Sequence, residues 1–389
     1  MNVVVVGGGI VGLASAHELA TRGASVTLVE KGSLGGESTQ RAAGGIRTQF
    51  STPVNVDLSL ASIPTWESFE EQFGVDIGYR RNGYLFLGRD DGTAADLRES
   101  AAMQNDRGGD TRILDPTDAT EYCSGVRTDA FQLATYSPLD GFADPNLACQ
   151  GYAQALPDEG VDVRTKTEVT DVLTGGGSSA GPGPVTGVEL DGAETLVADA
   201  VVNAAGPWAA ELAAMAGIDI PVRPKRRQVV VVDPETPIED DAPLTIDLDT
   251  GVYFRPERDG VAIAGGHFAA TDPDADPDAY STTHDVDWAV TCVERAGDAA
   301  TYFGPESRIR RGWGGLYAVT PDHHAILEET MPGFVNAVGF SGHGFQHAPA
   351  TATVVADLVL DESMSDVDVS ALAGDRFESG DLVEEQNVA

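Results

Sequence analysis

The chain alternates short, continuous apolar runs with stretches of helical period. Val3 to Val6 is an unbroken apolar run of strand length, the pattern of a strand buried on both faces. A glycine turn follows, then a helix, then a second strand from Ala24 to Val29 closed by Glu30. Val56, Leu60, Ile63, Trp66 and Phe69 or Phe73 fall near helical spacing and predict one helix over 53–73. Residues 82–88 read as a strand and 93–106 as a polar helix. Asp144-Pro145 combines an N-cap acid with a first-turn proline and starts a helix running to about Leu156.

Val161 to Val172 alternates as a strand, and Gly175 to Pro184 reads as a Gly/Ser/Pro-rich hairpin loop. Ala198 to Ala204 is an apolar strand running into Ala205-Gly-Pro-Trp208. Gln228–Val232, Val252–Arg255 and Gly260–Ala264 suit an antiparallel sheet, and 272–280 an Asp/Pro loop. The last unit is strand Phe334–Val338, the turn Gly339 to Gly344, and a helix from about Ala348 to Leu360. The final twenty or so residues are acidic and are expected to fray.

The first turn carries chemistry. Gly7, Gly9 and Gly12 form G-x-G-x-x-G between a strand and a helix. Gly7 permits the tight turn, Gly9 lets the backbone approach a pyrophosphate, and Gly12 lets the helix lie close on the strand. The helix start, Ile10-Val11-Gly12, offers free N–H groups and a partial positive charge to phosphate. Glu30, closing the second strand, suits ribose hydroxyls. This context indicates a dinucleotide site, against the alternative of a plain glycine-rich βαβ turn. The glycine-rich loop Lys31 to Arg47 is long for a nicotinamide domain and suits a segment that wraps a ligand. The turn at 339–344 aims a second helix N-terminus at something electron-rich, as a reducible isoalloxazine would be.

Length and composition narrow the picture. A chain of 389 residues with 42% hydrophobic content suggests two domains. Cys123, Cys149 and Cys292 lie far apart and suggest neither zinc nor disulfides. A strand at residue 2 leaves no room for a signal peptide, and no apolar run is long enough for a bilayer, so a cytoplasmic protein is expected. The net charge is −38, from 62 acids and 24 bases, only three of them lysine. That charge opposes nucleic-acid binding and fits a protein hydrated and screened in the high salt of a halophile's cytoplasm.

Four further blocks complete a resemblance. Ser38-Thr-Gln-Arg-Ala-Ala-Gly-Gly-Ile-Arg47, Val201-Val-Asn-Ala-Ala-Gly-Pro-Trp208, Gly314-Gly-Leu-Tyr-Ala-Val-Thr-Pro-Asp322 and Gly339-Phe-Ser-Gly-His-Gly-Phe345 follow the fingerprint in order. Together they resemble the FAD-dependent D-amino acid oxidase superfamily, near the sarcosine oxidase, dimethylglycine dehydrogenase and proline dehydrogenase β-subunit branch.

The resemblance implies an α/β protein: a Rossmann-like FAD domain (1–80, 141–225, 308–375) interleaved with an antiparallel-sheet substrate domain (81–140, 226–307), then an acidic tail (376–389). It implies cofactor contacts from Gly7, Gly9, Ile10, Val11, Gly12, Glu30, Lys31, Ser38, Thr39, Arg41, Gly44, Gly45, Ala205, Gly206, Trp208, Gly315, Gly342, His343, Gly344, Phe345 and Gln346. It implies a catalytic set of Arg47, Tyr253, His267, Tyr317 and Gln346 acting on a small amine that carries a carboxylate.

Arg47 matches a carboxylate-holding arginine, and a guanidinium fork suits that task; the bland alternative is a surface or FAD-contacting arginine. His267 and Tyr317 have structural alternatives as well, and His343 reads as cofactor-lining. Where some relatives attach the flavin covalently, this chain has Gly315 and Arg41, so FAD is expected to be non-covalent. An oxygen-activating lysine has no counterpart near Ile263, so oxygen is expected to be a poor acceptor; the electron acceptor is then oxygen or a carrier. Gln346 replaces a second substrate-binding lysine. The leading activity is C–N oxidation of a sarcosine-, dimethylglycine- or proline-like compound by hydride transfer. Alternatives are a D-amino acid or glycine oxidase, a 2-hydroxy acid dehydrogenase, a nicotinamide dehydrogenase, and a flavoprotein subunit or assembly factor with partner subunits.

Overall fold

The computed structural model describes residues 1–176, 183–380 and 382–387. Two large sheets organise it. The first has six strands in the order Ile326–Met331, Phe334–Val338, Ala200–Asn203, Asn2–Val6, Ser25–Glu30 and Asp162–Thr165. Every pairing in it is parallel except that of the first two strands. Val3 to Val6 is buried, as a strand covered on both faces must be. One face carries helix Ile10–Thr21, which shares a core with helix Gly344–Leu360 through Leu13, Leu19, Ala348 and Val355. The other face packs on a three-stranded sheet that includes Val169–Thr174 and Val185–Leu190.

The second sheet has eight strands, in the order Arg308–Val319, Arg223–Asp233, Ala262–Gly266, Val252–Pro256, Leu244–Asp247, Tyr84–Gly88, Leu133–Ser137 and Arg112–Leu114. Its only parallel pair joins Leu244–Asp247 to Tyr84–Gly88. Helix Val286–Ala299 covers part of one face, burying Cys292 and Ala296 against Phe254 and Val230. The mixed α/β class is as expected, and the Asp144 carboxylate caps helix Pro145–Ala155 as its sequence implied.

Several expected elements differ. The helix expected over 53–73 is two, Pro53–Glu67 and Phe69–Phe73. Pro64 has no N–H to donate, and the Ser68 hydroxyl binds the Pro64 carbonyl at 2.5 Å, ending the first helix there. The strand expected over 161–172 is two strands in different sheets, because Lys166 turns the chain with φ 52°. The loop between Gly175 and Pro184 joins antiparallel strands; its residues 177–182 lie outside the described set. The last long helix starts at Gly344 rather than Ala348. Pro349 falls inside it, and Ala350 N–H is satisfied by the Ser62 hydroxyl at 3.2 Å. Strand Arg308–Val319, which the implied domain plan gave to the FAD domain, is hydrogen-bonded along its length to Arg223–Asp233 in the large sheet.

The expectation of a frayed tail fails at Glu385 and Asn387, while 382–384 and 386 are exposed. Glu385 is 1% exposed and Asn387 6%. The Glu385 carboxylate accepts from Ser51 N–H and O–H, both at 2.7 Å, from Thr52 N–H (3.2 Å) and O–H (2.7 Å), and from Asn55 Nδ2 (3.1 Å). Helix Pro53–Glu67 has no side-chain cap of its own at Thr52, and the tail supplies an anion at that uncapped, positive end.

Candidate cofactor and active site

The first turn is built as its glycines require. Gly7 has φ 112°, and a Cβ there would sit 2.3 Å from the Ala204 carbonyl oxygen. A Cβ on Gly12 would sit 1.9 Å from the Gly7 carbonyl oxygen. Helix Ile10–Thr21 starts at Gly9 with no side-chain cap, although Ile10 N–H reaches the Thr39 hydroxyl at 3.2 Å. The Glu30 carboxylate accepts from Gly8 N–H (2.7 Å) and Gly32 N–H (2.6 Å), pinning the turn to the loop after the second strand.

These groups line a cavity of about 430 Å³ whose walls come from both ends of the chain. Of the expected cofactor positions, Gly7, Gly9, Ile10, Val11, Glu30, Lys31, Ser38, Thr39, Ala205, Gly206, Trp208, Gly342, Gly344 and Phe345 line it. Gly12 stands behind the wall. Asp278, from the Asp/Pro loop of the other sheet, also reaches this cavity. It accepts from Lys31 Nζ (2.8 Å) and Trp208 Nε1 (3.0 Å), while Lys31 lies 3.8 Å over the Trp208 ring. The sequence reading placed Asp278 only in a loop, because nothing in its local pattern shows which surface the loop covers.

Gly44 and Gly45 line neither this cavity nor the one beside it. Their lack of a side chain has a packing reason: a Cβ would sit 2.0 Å from the Ala143 carbonyl oxygen at Gly44 and 1.9 Å from the Tyr84 hydroxyl at Gly45.

A smaller cavity of about 30 Å³ adjoins the first through Ser38, Ala42, Leu316 and Tyr317, which line both. Tyr253, Trp313, Gly315, Arg41 and Arg227 complete most of its wall. Tyr317 packs against Gly342, where a Cβ would come within 2.4 Å of its ring. Burial raises the Tyr253 hydroxyl well above its ordinary value and raises that of Tyr317, so both are neutral hydrogen-bonding groups.

Residues 2–358 match the family described as FAD dependent oxidoreductase, or DAO. The chain belongs to that family. It is 31% identical over 433 residues to FAD-dependent oxidoreductase domain-containing protein 1 of Xenopus laevis, an alignment covering 100% of this chain and 84% of that protein. It is 30% identical over 369 residues to glycine oxidase of Geobacillus kaustophilus, covering 92% of each chain. The crystal structure of L-proline dehydrogenase from P. horikoshii superposes with a TM-score of 0.86 at 31% identity, covering 98% of both chains. This DAO-family protein is therefore an FAD-dependent oxidoreductase enzyme. The residues fit FAD: a glycine cradle at an uncapped helix N-terminus for the pyrophosphate, Glu30 for ribose hydroxyls, and a second glycine turn in the wall of the same cavity.

The remaining expected site residues of the DAO-family chain do not share one pocket. His267 lies outside both cavities, half-buried beside Asp272, with its Nε2 at 3.8 Å from the carboxylate. Burial lowers its pKa, and Arg227 adds to the effect. Arg47, His343 and Gln346 form a separate buried group. Arg47 N–H donates to Gln346 Oε1 (2.7 Å), its Nη1 to the Gln49 carbonyl (2.8 Å), and its Nη2 to the Asn387 carbonyl of the tail. The same Nη2 lies 3.2 Å from His343 Nε2. His343 is pushed well below its ordinary value by burial and then by Arg47, so the ring is neutral. The expected carboxylate-holding fork is thus already engaged by the chain itself.

Asp140, which the sequence reading missed, braces this group. Its buried carboxylate accepts from Thr48 N–H and O–H at 2.7 Å each, from Ser137 O–H at 3.0 Å and from Gln49 Nε2 at 3.3 Å. Desolvation raises its pKa to about 6, against the lowering effect of the Thr48 bonds. A raised acid binds its proton more tightly when folded, so its contribution to stability falls as pH rises from about 4 to 6 and is level above that. At ~1.4 kcal/mol per pKa unit, the cost above pH 6 approaches about 3 kcal/mol. The melting temperature of wild type relative to Asp140→Asn should therefore rise as pH drops from 7 to 4. A pH-independent difference between the two would refute the assignment.

Proposed function

We propose that this enzyme oxidises the C–N bond of a small amino or N-methylamino acid. The observation that carries the proposal is the small cavity joined to the FAD cavity through Tyr317, with a second tyrosine and two arginines in its wall. The named activities of the similar proteins, glycine oxidase and L-proline dehydrogenase, support the same substrate class.

Bound FAD supplies the hydride acceptor. The chain's part is to hold the donor carbon against it and to keep the amine neutral. The small cavity does the second through the guanidinium groups of Arg41 and Arg227 in its wall, because a nearby positive charge disfavours an ammonium. The neutral hydroxyls of Tyr253 and Tyr317 orient the amine. No base is required at the carbon, and His267 stays a polar neighbour rather than a proton acceptor. The uncapped start of helix Gly344–Leu360, at Gly344 and Phe345 in the cavity wall, stabilises negative charge that develops at that end. With Gly315 and Arg41 at the positions where relatives carry attachment residues, FAD is held without a covalent bond. In this reading Arg47 anchors the tail and the backbone at Gln49.

Anaerobic titration of the FAD-loaded enzyme in molar salt, with sarcosine, dimethylglycine, proline, glycine and D-alanine, tests the proposal. Flavin bleaching by at least one of them is expected. Bleaching by 2-hydroxy acids alone, or by none of the set, would overturn it. Re-oxidation rates with oxygen and with a dye then distinguish an oxidase from a dehydrogenase that uses a carrier.

A further inference from the structure

A small amino acid brings a carboxylate into the cavity, and the chain must meet it with a cation. Only two cationic side chains line the small cavity among the described residues, Arg41 and Arg227. Arg41 lies on the loop after the second strand and is tied to the exposed Glu37 at 3.0 Å. Arg227 sits mid-strand in Arg223–Asp233, in register with Gly315 of Arg308–Val319 and two residues before the pairing with Ala262–Gly266 begins at Val229. Its backbone is therefore fixed, and its guanidinium carbon lies 5.6 Å from the centre of the Tyr317 ring, which lines both cavities.

The fork of Arg227 is only half used. Its Nη1 and Nη2 donate to the two oxygens of Asp272 at 2.8 and 2.9 Å, and Nη1 also reaches the Arg226 carbonyl at 3.1 Å. Nε donates to nothing among the described residues. A guanidinium has two edges that bind a carboxylate with parallel hydrogen bonds, Nη1/Nη2 and Nε/Nη2. Asp272 takes the first and leaves the second. Asp272 is held in turn: the Lys225 ammonium donates to its carbonyl, and His267 Nε2 lies 3.8 Å from its carboxylate.

We propose that Arg227 is the substrate-binding residue for the carboxylate, through its Nε/Nη2 edge, and that Asp272 is the positioning residue that turns this edge into the cavity. The inference rests on the amino-acid reading above and deepens it. It accounts for the glycines facing this strand: a Cβ on Gly315 would come within 2.9 Å of the Arg41 side chain and narrow the same pocket. It also gives His267 a place, beside the group that orients the clamp.

The test uses FAD-loaded enzyme and two independent readouts. The first is the flavin difference spectrum during titration with acetate, with acetamide as the uncharged control. The second is KM and kcat with the amino acid that bleaches the flavin. Arg227→Met should weaken acetate binding and raise KM by about a hundredfold, as expected for loss of a charge-assisted bidentate pair, while kcat changes less than about tenfold. Arg227→Lys should recover part of the loss, because it restores charge without the fork. Asp272→Asn should raise KM by about tenfold and leave kcat nearly unchanged.

Acetate affinity and KM within about threefold of wild type in Arg227→Met, or a wild type that acetate does not perturb, overturn the inference. So does loss of acetate binding in Arg47→Met with acetate binding retained in Arg227→Met. If Arg227→Met does not fold, Arg227→Lys decides by the same two readouts. A wild type that binds acetate through Arg227 but is bleached by no amino acid supports the clamp and overturns only the substrate class.

Discussion

Gly12→Val is expected to give a protein that purifies without flavin. The Cβ of any residue at this position lies 1.9 Å from the Gly7 carbonyl oxygen, and that contact is between backbone segments with no flexible atom to give way. Helix Ile10–Thr21 would have to lift off strand Asn2–Val6, carrying its uncapped N-terminus away from the phosphate position. The helix also forms the core with Gly344–Leu360 through Leu13 and Leu19, so the shift spreads to the second turn at Gly342 and Gly344. Overpacking of ~3 kcal/mol applied to the bound state weakens FAD by about a hundredfold. The flavin-to-protein absorbance ratio after gel filtration, and reconstitution titrated with FAD, measure the effect. Gly9→Ala is the informative contrast. Its Cβ would meet only the Thr39 hydroxyl, at 3.3 Å, so loss of FAD there comes from blocking the cavity rather than from moving the helix.

Arg47→Met should act mainly on stability. The guanidinium is buried, its pKa lowered by desolvation and raised in part by Glu385, and it holds Gln49 and the tail carbonyl of Asn387 in place. Removing it strands the buried Gln49 and Asn387 carbonyls that it now satisfies and loses the attraction of Glu385; each buried acceptor left unpaired typically costs about 1–3 kcal/mol. The melting temperature of FAD-loaded protein should fall by several degrees or more, and the tail should become accessible to a carboxypeptidase. A stable variant with a protected tail and a large rise in KM would return Arg47 to the substrate-holding role that its place in the sequence motif implies. Glu385→Gln keeps the shape of the tail and removes the charge; it should produce a smaller loss, because the Ser51, Thr52 and Asn55 donors still find an acceptor.

Much of the cofactor half was legible in one dimension because its geometry is local. A tight turn, a close helix–strand contact and an open helix end are each decided within a few residues, and glycine at Gly7, Gly9 and Gly12 reports those demands directly. The same holds at Gly342 and Gly344, and at the Asp144 cap. The substrate half was less legible. Arg227 stands in a cluster of bases, Arg223 to Arg227, that is conspicuous in a chain of net charge −38, and that was the available signal. Which of those bases faces a cavity depends on the pairing of Arg223–Asp233 with Arg308–Val319, strands separated by most of a domain. His267, Tyr253 and Tyr317 were found by motif position, yet the motif did not show that only the two tyrosines line the pocket.

The sequence by itself determined the family, the dinucleotide turn, the order of strand, glycine turn and helix at both ends, and the mixed α/β class. The family came from the resemblance of the motif blocks; the turns and elements follow from short-range sterics and hydrophobic period. Tertiary structure alone decided that Glu385 of the acidic tail is buried at the N-terminal end of helix Pro53–Glu67, that Arg47 turns its fork to the tail carbonyl of Asn387, and that Asp278 reaches the nucleotide cavity. Those three contacts join residues hundreds of positions apart. They depend on where folded surfaces meet, and a charged side chain looks the same in the sequence whether water or a buried partner satisfies it.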